Sequence, residues 1–297
     1  MNIAANLVWR SPARGQLLEC PVWGAASNSL YWIDVIEPSV HRHCFADGKS
    51  MRWELPKPPG SIALISATRL LVAMRSALAT LDLVSGTLEP LAWNGPQLAD
   101  DRFNDGVTDR QGNFWVGTMD RKLARPIGRL FRIGAGLDAS VAPVGARLSN
   151  GLCLSPDGRH LYLSKTFERE IRRFELDQAT GALSGERVLV SYDATPGRPD
   201  GCTVAADGSL WSARVGGGRI DRFDGEGESL GFLALPTSHP THCIFGGADM
   251  KTLFVTTSRF GEEFADQHKD DMEAGHVLGF CVDCTGLLPT AFPHAGL

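Results

Sequence analysis

The sequence predicts an all-β fold, a six-bladed β-propeller that occupies residues 1–297 as one domain, and three observations carry that expectation. A polar turn followed by an apolar, aromatic-rich strand recurs six times. The recurrences come near the ~45 residues that four short strands and their turns occupy. Helical periodicity is scarce, and the longest stretch that approaches it, "EEFADQHKDDMEAG" (262–275), is polar enough to read as a surface insertion.

In chain order the units are "SNSLYWID" (27–34), "ATRLLVAM" (67–74), "RQGNFWVGT" (110–118), "PDGRHLYLS" (156–164), "ADGSLWSAR" (206–214) and "DMKTLFVTT" (249–257). Each begins with small or polar turn residues and continues into aromatic and β-branched ones, the signal of a hairpin entering a strand. Tyr31, Leu71, Trp115, Tyr162, Trp211 and Phe254 hold the same place in the six units, at spacings of 40, 44, 47, 49 and 43 residues. The glycine-rich "VGGGR" (215–219) opens no helix and reads as a place where blade strands pack closely.

The repeat also acts as a ruler. Eight residues before the turn glycines Gly112, Gly158 and Gly208 stand Asn104, Asn150 and Asp200. The same step back from Ser27 reaches Glu19, and from Met250 it reaches His242. In the second unit the step falls at Gly60-Ser61, where the alignment is loose. Equivalent positions in a propeller are related by rotation about its axis, so these five polar side chains should gather at one end of the central channel. Asn and Asp also cap turns, but a set of Glu, Asn, Asn, Asp and His at one step reads better as a site. A glycine follows Asn104, Asn150 and Asp200 within two residues, where the backbone needs positive φ or close approach.

Glu19, Asn150 and Asp200 offer two carboxylates and an amide oxygen. Two like charges held together in a channel are costly, and a divalent cation removes the cost. An all-oxygen set suits hard ions such as Ca²⁺, Mg²⁺ or Mn²⁺. Three protein ligands leave positions open for water and substrate, as a Lewis-acid catalyst needs. The chain has no HExxH, P-loop or GxGxxG motif to compete with this reading. Its eight histidines show no ligand spacing, and His41 and His43 read as exposed residues of one strand face.

Composition is that of a globular protein, 43% hydrophobic and 21% charged, with a net charge of −5 and no basic cluster that would suit nucleic acid. No apolar run is long enough to span a membrane, and the first residues lack an export signal. Seven scattered cysteines, an odd number, argue against a disulfide framework and for a reducing cytoplasm. Cys281 and Cys284 have CxxC spacing without a second pair and read as strand or turn thiols.

The ordered motifs "ECPVW", "FNDGVTDRQGNFWVGTM", "LSNGLCLSPDGRHLY", "RPDGCTVAADGSLW" and "FGGADMKTLFVTT" span nearly the whole chain. Through them the sequence resembles the regucalcin/gluconolactonase family, which includes luciferin-regenerating enzymes. The resemblance implies a six-bladed propeller holding one divalent metal (Ca, Mg, Mn or Zn) through Glu19, Asn150 and Asp200. It implies hydrolysis of a sugar lactone to its aldonic acid, with Asp200 as general base, and Arg102 and Asn104 as substrate contacts. His242, in phase with the ligands, joins them as a substrate-binding candidate. Cys20 stands where the family commonly has Gly or Ser and reads as a packing variant.

Two departures from the family pattern are basic. After "GTM", where relatives often carry an acidic substrate contact, stand Asp120-Arg121-Lys122, with Arg125 and Arg129 beyond. After "LYLS", where an Asp-Ser or Asp-Thr pair is common, stands Lys165-Thr166. With Arg102 and Arg198, Lys122 and Lys165 suggest a pocket for a lactone bearing a carboxylate, sulfonate or phosphate. The alternative function is a calcium-binding regulatory propeller without lactone turnover. A protein-interaction scaffold would not need Glu, Asn and Asp at one channel phase.

Overall fold

The computed structural model describes residues 1–93, 95, 98–192, 196–259 and 271–294. After β1 (Asn6–Arg10), the chain forms five consecutive four-stranded antiparallel blades. Blade one is β2–β5 (Leu18–Gly24, Ser29–Asp34, Ser39–Cys44, Ser50–Glu54) and blade two is β6–β9 (Pro59–Ser66, Arg69–Met74, Ala77–Asp82, Leu88–Leu91). Blade three is β10–β13 (Asp101–Thr108, Phe114–Asp120, Arg129–Ile133, Ala139–Pro143). Blade four is β14–β17 (Ser149–Leu154, His160–Lys165, Glu170–Leu176, Leu183–Ser191), and blade five is β18–β21 (Arg198–Val204, Leu210–Val215, Arg219–Phe223, Ser229–Ala234). The sixth blade has β22–β24 (Pro240–Gly246, Thr252–Thr257, Leu278–Cys281), and β1 completes it by pairing with β24. The first and last strands thus share one sheet, so opening the ring would break a ladder. Six blades confirm the predicted architecture.

The six recurring units are the second strands of the blades. Tyr31, Leu71, Trp115, Tyr162, Trp211 and Phe254 are all at most 2% exposed. They fill the wedges between neighbouring blades; Trp23 of blade one, for example, stacks on Phe254 of blade six at 5.7 Å and 16°. Burial of side chains of this size, with geometry that suits aromatic pairs, is the main source of cohesion between sheets that share no ladder.

The innermost strands β2, β6, β10, β14, β18 and β22 surround the channel, each starting at one end and turning back at the other. Its far end holds a cavity of about 250 Å³, walled by residues such as Val22, Leu64, Leu154, Val204 and Ile244. The C-terminal segment crosses this end: Gly286 N donates to Met250 O (2.8 Å) and Phe292 N to Leu64 O (2.7 Å). Phe292 is fully buried between blades two and three. The polar stretch 262–275 lies outside the described residues from 262 to 270, and its remainder is a turn in which Asp271 accepts from Glu273 N and Ala274 N.

Candidate active site

At the other end every inner strand breaks register in its first half. The pairing jumps from Glu19 to Val22, from Phe103 to Gly106, from Asn150 to Cys153 and from Pro199 to Cys202, with smaller breaks at Pro59/Ser61 and Pro240/His242. A bulge sets extra residues against the partner strand and re-aims side chains, here toward the channel. Gly151 occupies the bulge of blade four with φ +58°, and a Cβ there would stand 2.6 Å from the carbonyl oxygen of Asp200. Only glycine meets both demands. Cys20, its counterpart beside Glu19, adopts φ +46° with a side chain present, a strained conformation. Its buried thiol sits 3.0 Å from Ser61 Oγ, and burial pushes it up to about 12. Cys20 therefore packs as expected and also carries backbone strain. Pro21 lies inside the same bulge, where the ladder asks for no N–H.

Three of the side chains form a connected polar line beside Glu19. Asn104 Nδ2 donates to Ser149 O (3.0 Å) and to Asn150 Oδ1, and Asn150 Nδ2 donates to Thr166 Oγ1 (3.1 Å) and Asp200 Oδ1. Blades three, four and five are thereby joined by three consecutive side chains. Below them a second link crosses from blade three to blade six. His242 Nε2 stands 3.3 Å from Asp105 Oδ1, whose other oxygen accepts from Leu152 N at 2.9 Å. His242 Nδ1 faces Cys243 O at 3.0 Å. A Cβ on Gly201 would meet the His242 ring at 2.1 Å, so the histidine crosses only because that residue is glycine. His242, paired with Asp105, lies beneath these side chains and also lines the apolar cavity.

The electrostatics of this end are those of crowded acids. Burial pushes Glu19 up to about 7, with His242 and Arg102 working against the rise and Asp105 adding to it. Asp200 is held well above the usual carboxylate range, first by burial and then by Glu19 and Asp105. Burial opposes the charged form of His242, but Asp105 and Glu19 outweigh it and raise its pKa. Burial also lowers Arg102, against the pull of Glu19, and Arg102 Nη1 donates to Phe103 O at 3.0 Å.

Glu19, Arg102, Asn104, Asn150, Asp200 and His242 are therefore brought to one place. Lys122 lies exposed on the turn after β11, at the rim. Lys165 is buried but turns outward along its own blade, its Nζ 3.3 Å from Glu186 on β17. Arg125 pairs with Asp100 (3.0 Å) and Asp120 (3.3 Å), and Arg129 with Asp101 (2.8 Å). These arginines serve the loop rather than the pocket. Asp120 seats the same loop; the backbone N–H of Arg125 is the first cause that holds it down to about 2. The expectation that His43 is exposed is corrected: it is 7% exposed and packs at 5.0 Å from Trp9 and 4.8 Å from Phe45.

Asp105 and Thr166 join the site without having been singled out as ligands or contacts. Among the described residues no group of three His, Cys, Asp or Glu side chains is placed to hold a metal ion. The candidate set supplies two such residues and an amide. Its two carboxylates nevertheless fit a cation, because burial opposes the charge on both and Glu19 adds to the cost of charging Asp200.

The fold and these side chains define a six-bladed propeller with a buried cluster of acids and amides at one end of its channel. Residues 17–259 match the family described as the SMP-30/Gluconolactonase/LRE-like region, and the chain belongs to that family. A 6-deoxy-6-sulfogluconolactonase of Pseudomonas putida is 37% identical, with 90% of this chain and 92% of that protein covered. A pentonolactonase of Haloferax volcanii is 33% identical, covering 89% of each. The crystal structure of a calcium-binding protein, regucalcin, from Agrobacterium tumefaciens superposes with a TM-score of 0.88 at 26% identity, over 98% of each chain. By class the chain is a lactonase, a hydrolase of cyclic esters.

Proposed function

We propose that the protein opens a sugar lactone by metal-dependent hydrolysis at the Glu19–Asn150–Asp200 end of the channel, and that its substrate carries an additional anionic group. The observation that carries this reading is the convergence of these three side chains from blades one, four and five in one buried cluster. Glu19, Asn150 and Asp200 would hold the divalent cation. When bound, such an ion polarises an ester carbonyl and makes water more acidic.

The protein's own groups do the rest. Asp200 takes the proton of the attacking water. Water oxygen bonds to the acyl carbon, the bond to the ring oxygen breaks, and that oxygen takes back the proton held by Asp200 and leaves as the hydroxyl of the sugar acid. Asn104 holds Asn150 by its amide and spans the gap to blade four, so it orients a ligand as well as facing substrate. Arg102, desolvated and close to Glu19, offers a fixed cation for substrate oxygens. His242, held by Asp105, stands between these side chains and the apolar cavity beneath. Support for an anionic substrate comes from Arg102 within the site and from the sulfonated sugar named in the relative from Pseudomonas putida.

The test is a pH-stat assay on a panel of neutral and anionic sugar lactones after EDTA treatment, with add-back of Ca²⁺, Mg²⁺, Mn²⁺ or Zn²⁺. Turnover that disappears with EDTA and returns with one ion is the expected result. Tight Ca²⁺ binding with no turnover of any lactone would replace this reading by the regulatory one.

A further inference from the structure

Of the basic residues near the pocket, the structure commits Lys165, Arg125 and Arg129 to carboxylates. Arg198 is different. It stands at the start of β18, two residues before Asp200, as Arg102 stands two residues before Asn104. The two arginines thus occupy the same phase on the blades that flank blade four. Arg198 is half-buried, and its guanidinium lies over the Phe167 ring at 4.9 Å. Among the described residues it has no ion pair and no hydrogen bond to an acid.

The surroundings hold this cation in place. Phe167 follows Thr166, which accepts the hydrogen bond from Asn150 Nδ2 at 3.1 Å, so the ring under Arg198 is one residue from a partner of a candidate metal ligand. Arg147 lies over the same ring at 5.1 Å, but Glu168 Oε1 at 3.1 Å neutralises it, and its Nη2 donates to Phe167 O. Arg169 donates to Tyr192 O (2.8 Å) and Gly197 O (3.0 Å), which fixes the backbone just before Arg198. A half-buried guanidinium stacked on an aromatic face, with no acid partner among the described residues, suits the flat pairing of two oxygens of a sulfonate, phosphate or carboxylate. The same stack limits the entropy lost when the anion arrives.

Resting on the lactonase reading above, we propose that Arg198, braced by Phe167, is the residue that binds the anionic substituent of the substrate and sets the preference for charged over neutral lactones. Its role is in specificity, and it takes no part in the chemical step. Both the ring opening and the proton transfer stay with the Asp200 cluster.

The test uses the metal-loaded full chain and two readouts. In calorimetry, wild type should bind 6-phospho-D-gluconate at least about 10-fold more tightly than D-gluconate, and Arg198→Leu should erase most of that difference. In the pH-stat, Arg198→Leu should lower kcat/KM for an anionic 6-phospho- or 6-sulfo-gluconolactone about 30-fold, mainly through KM, and change D-glucono-1,5-lactone less than about 2-fold. Arg198→Lys should fall between, and Phe167→Leu should lose about 3- to 10-fold on the anionic lactone alone. Equal losses on both lactones, or a binding preference that survives in Arg198→Leu, would overturn the proposal. If wild type turned over no lactone while its Arg198-dependent preference for 6-phospho-D-gluconate remained, the anion site would stand and the lactonase reading would fall.

Discussion

The two ends of the channel are built from the same six strands and have opposite chemistry. At the start of each strand the ladder is broken, left-handed conformations occur at Cys20 and Gly151, and acids are buried against one another. Toward the end of the same strands the wall is apolar, and the C-terminal segment is hydrogen-bonded across it and anchored by Phe292. The paired bulges and the acids buried near one another lie at the end that would do the chemistry, and an apolar cavity wall lies at the other. The lesson is that one strand of about eight residues can serve both needs, because a single bulge separates its polar half from its apolar half.

The largest effect that sharpens this contrast is expected at the polar end. Asp200→Asn should lower kcat about 10³-fold, near 4 kcal/mol of barrier, with a melting temperature no lower than that of the metal-free parent; steady-state kinetics and calorimetry check both. Next comes the apolar end. Phe292→Ala should cost about 3 kcal/mol of stability through loss of buried area and the cavity left behind, while kcat measured well below the transition stays unchanged. A large kcat loss there would break the separation of the two ends. Asp105→Asn acts at the boundary between them: it removes the charge facing His242 and should reduce kcat/KM about 10-fold, near 1.4 kcal/mol.

The smallest effect belongs to a group at neither end. His41 of blade one stacks on Trp32 at 5.4 Å and bonds Ser39 Oγ at 2.9 Å. Burial lowers it to about 4; Asp34 and Glu37 pull the other way and Arg52 adds to the fall. Between pH 6.5 and 4 the unfolded chain takes up a proton that the folded protein refuses. This contribution is whole above pH 6.5 and is lost as pH falls toward 4. Thermal melts should show that acid-side loss reduced in His41→Phe, which keeps the stack without the titrating ring, and the two proteins should converge at pH 7.5.

Much of this was readable from residue spacing, and the reason is geometric. The step of eight residues that linked Glu19, Asn104, Asn150, Asp200 and His242 is the length of an inner strand from the bulged end to the turn. Asp105 escaped because simple alternation sends consecutive side chains to opposite faces. Inside the bulge of β10 that rule fails, and Asn104 and Asp105 both reach channel partners. Lys165, Arg125 and Arg129 were grouped with the pocket on charge alone. Their carboxylate partners, Glu186, Asp100 and Asp101, are chosen by loop and strand packing that spacing does not encode.

Metal affinity and turnover in Glu19→Gln test the central claim most directly. The substitution preserves shape and removes one of the two carboxylates of the candidate set. Calorimetric titration of the EDTA-stripped protein with the activating ion should show affinity weakened at least about 10-fold, with lactone turnover falling in parallel and the metal-free melting temperature not lowered. Unchanged metal affinity and unchanged turnover would contradict the account.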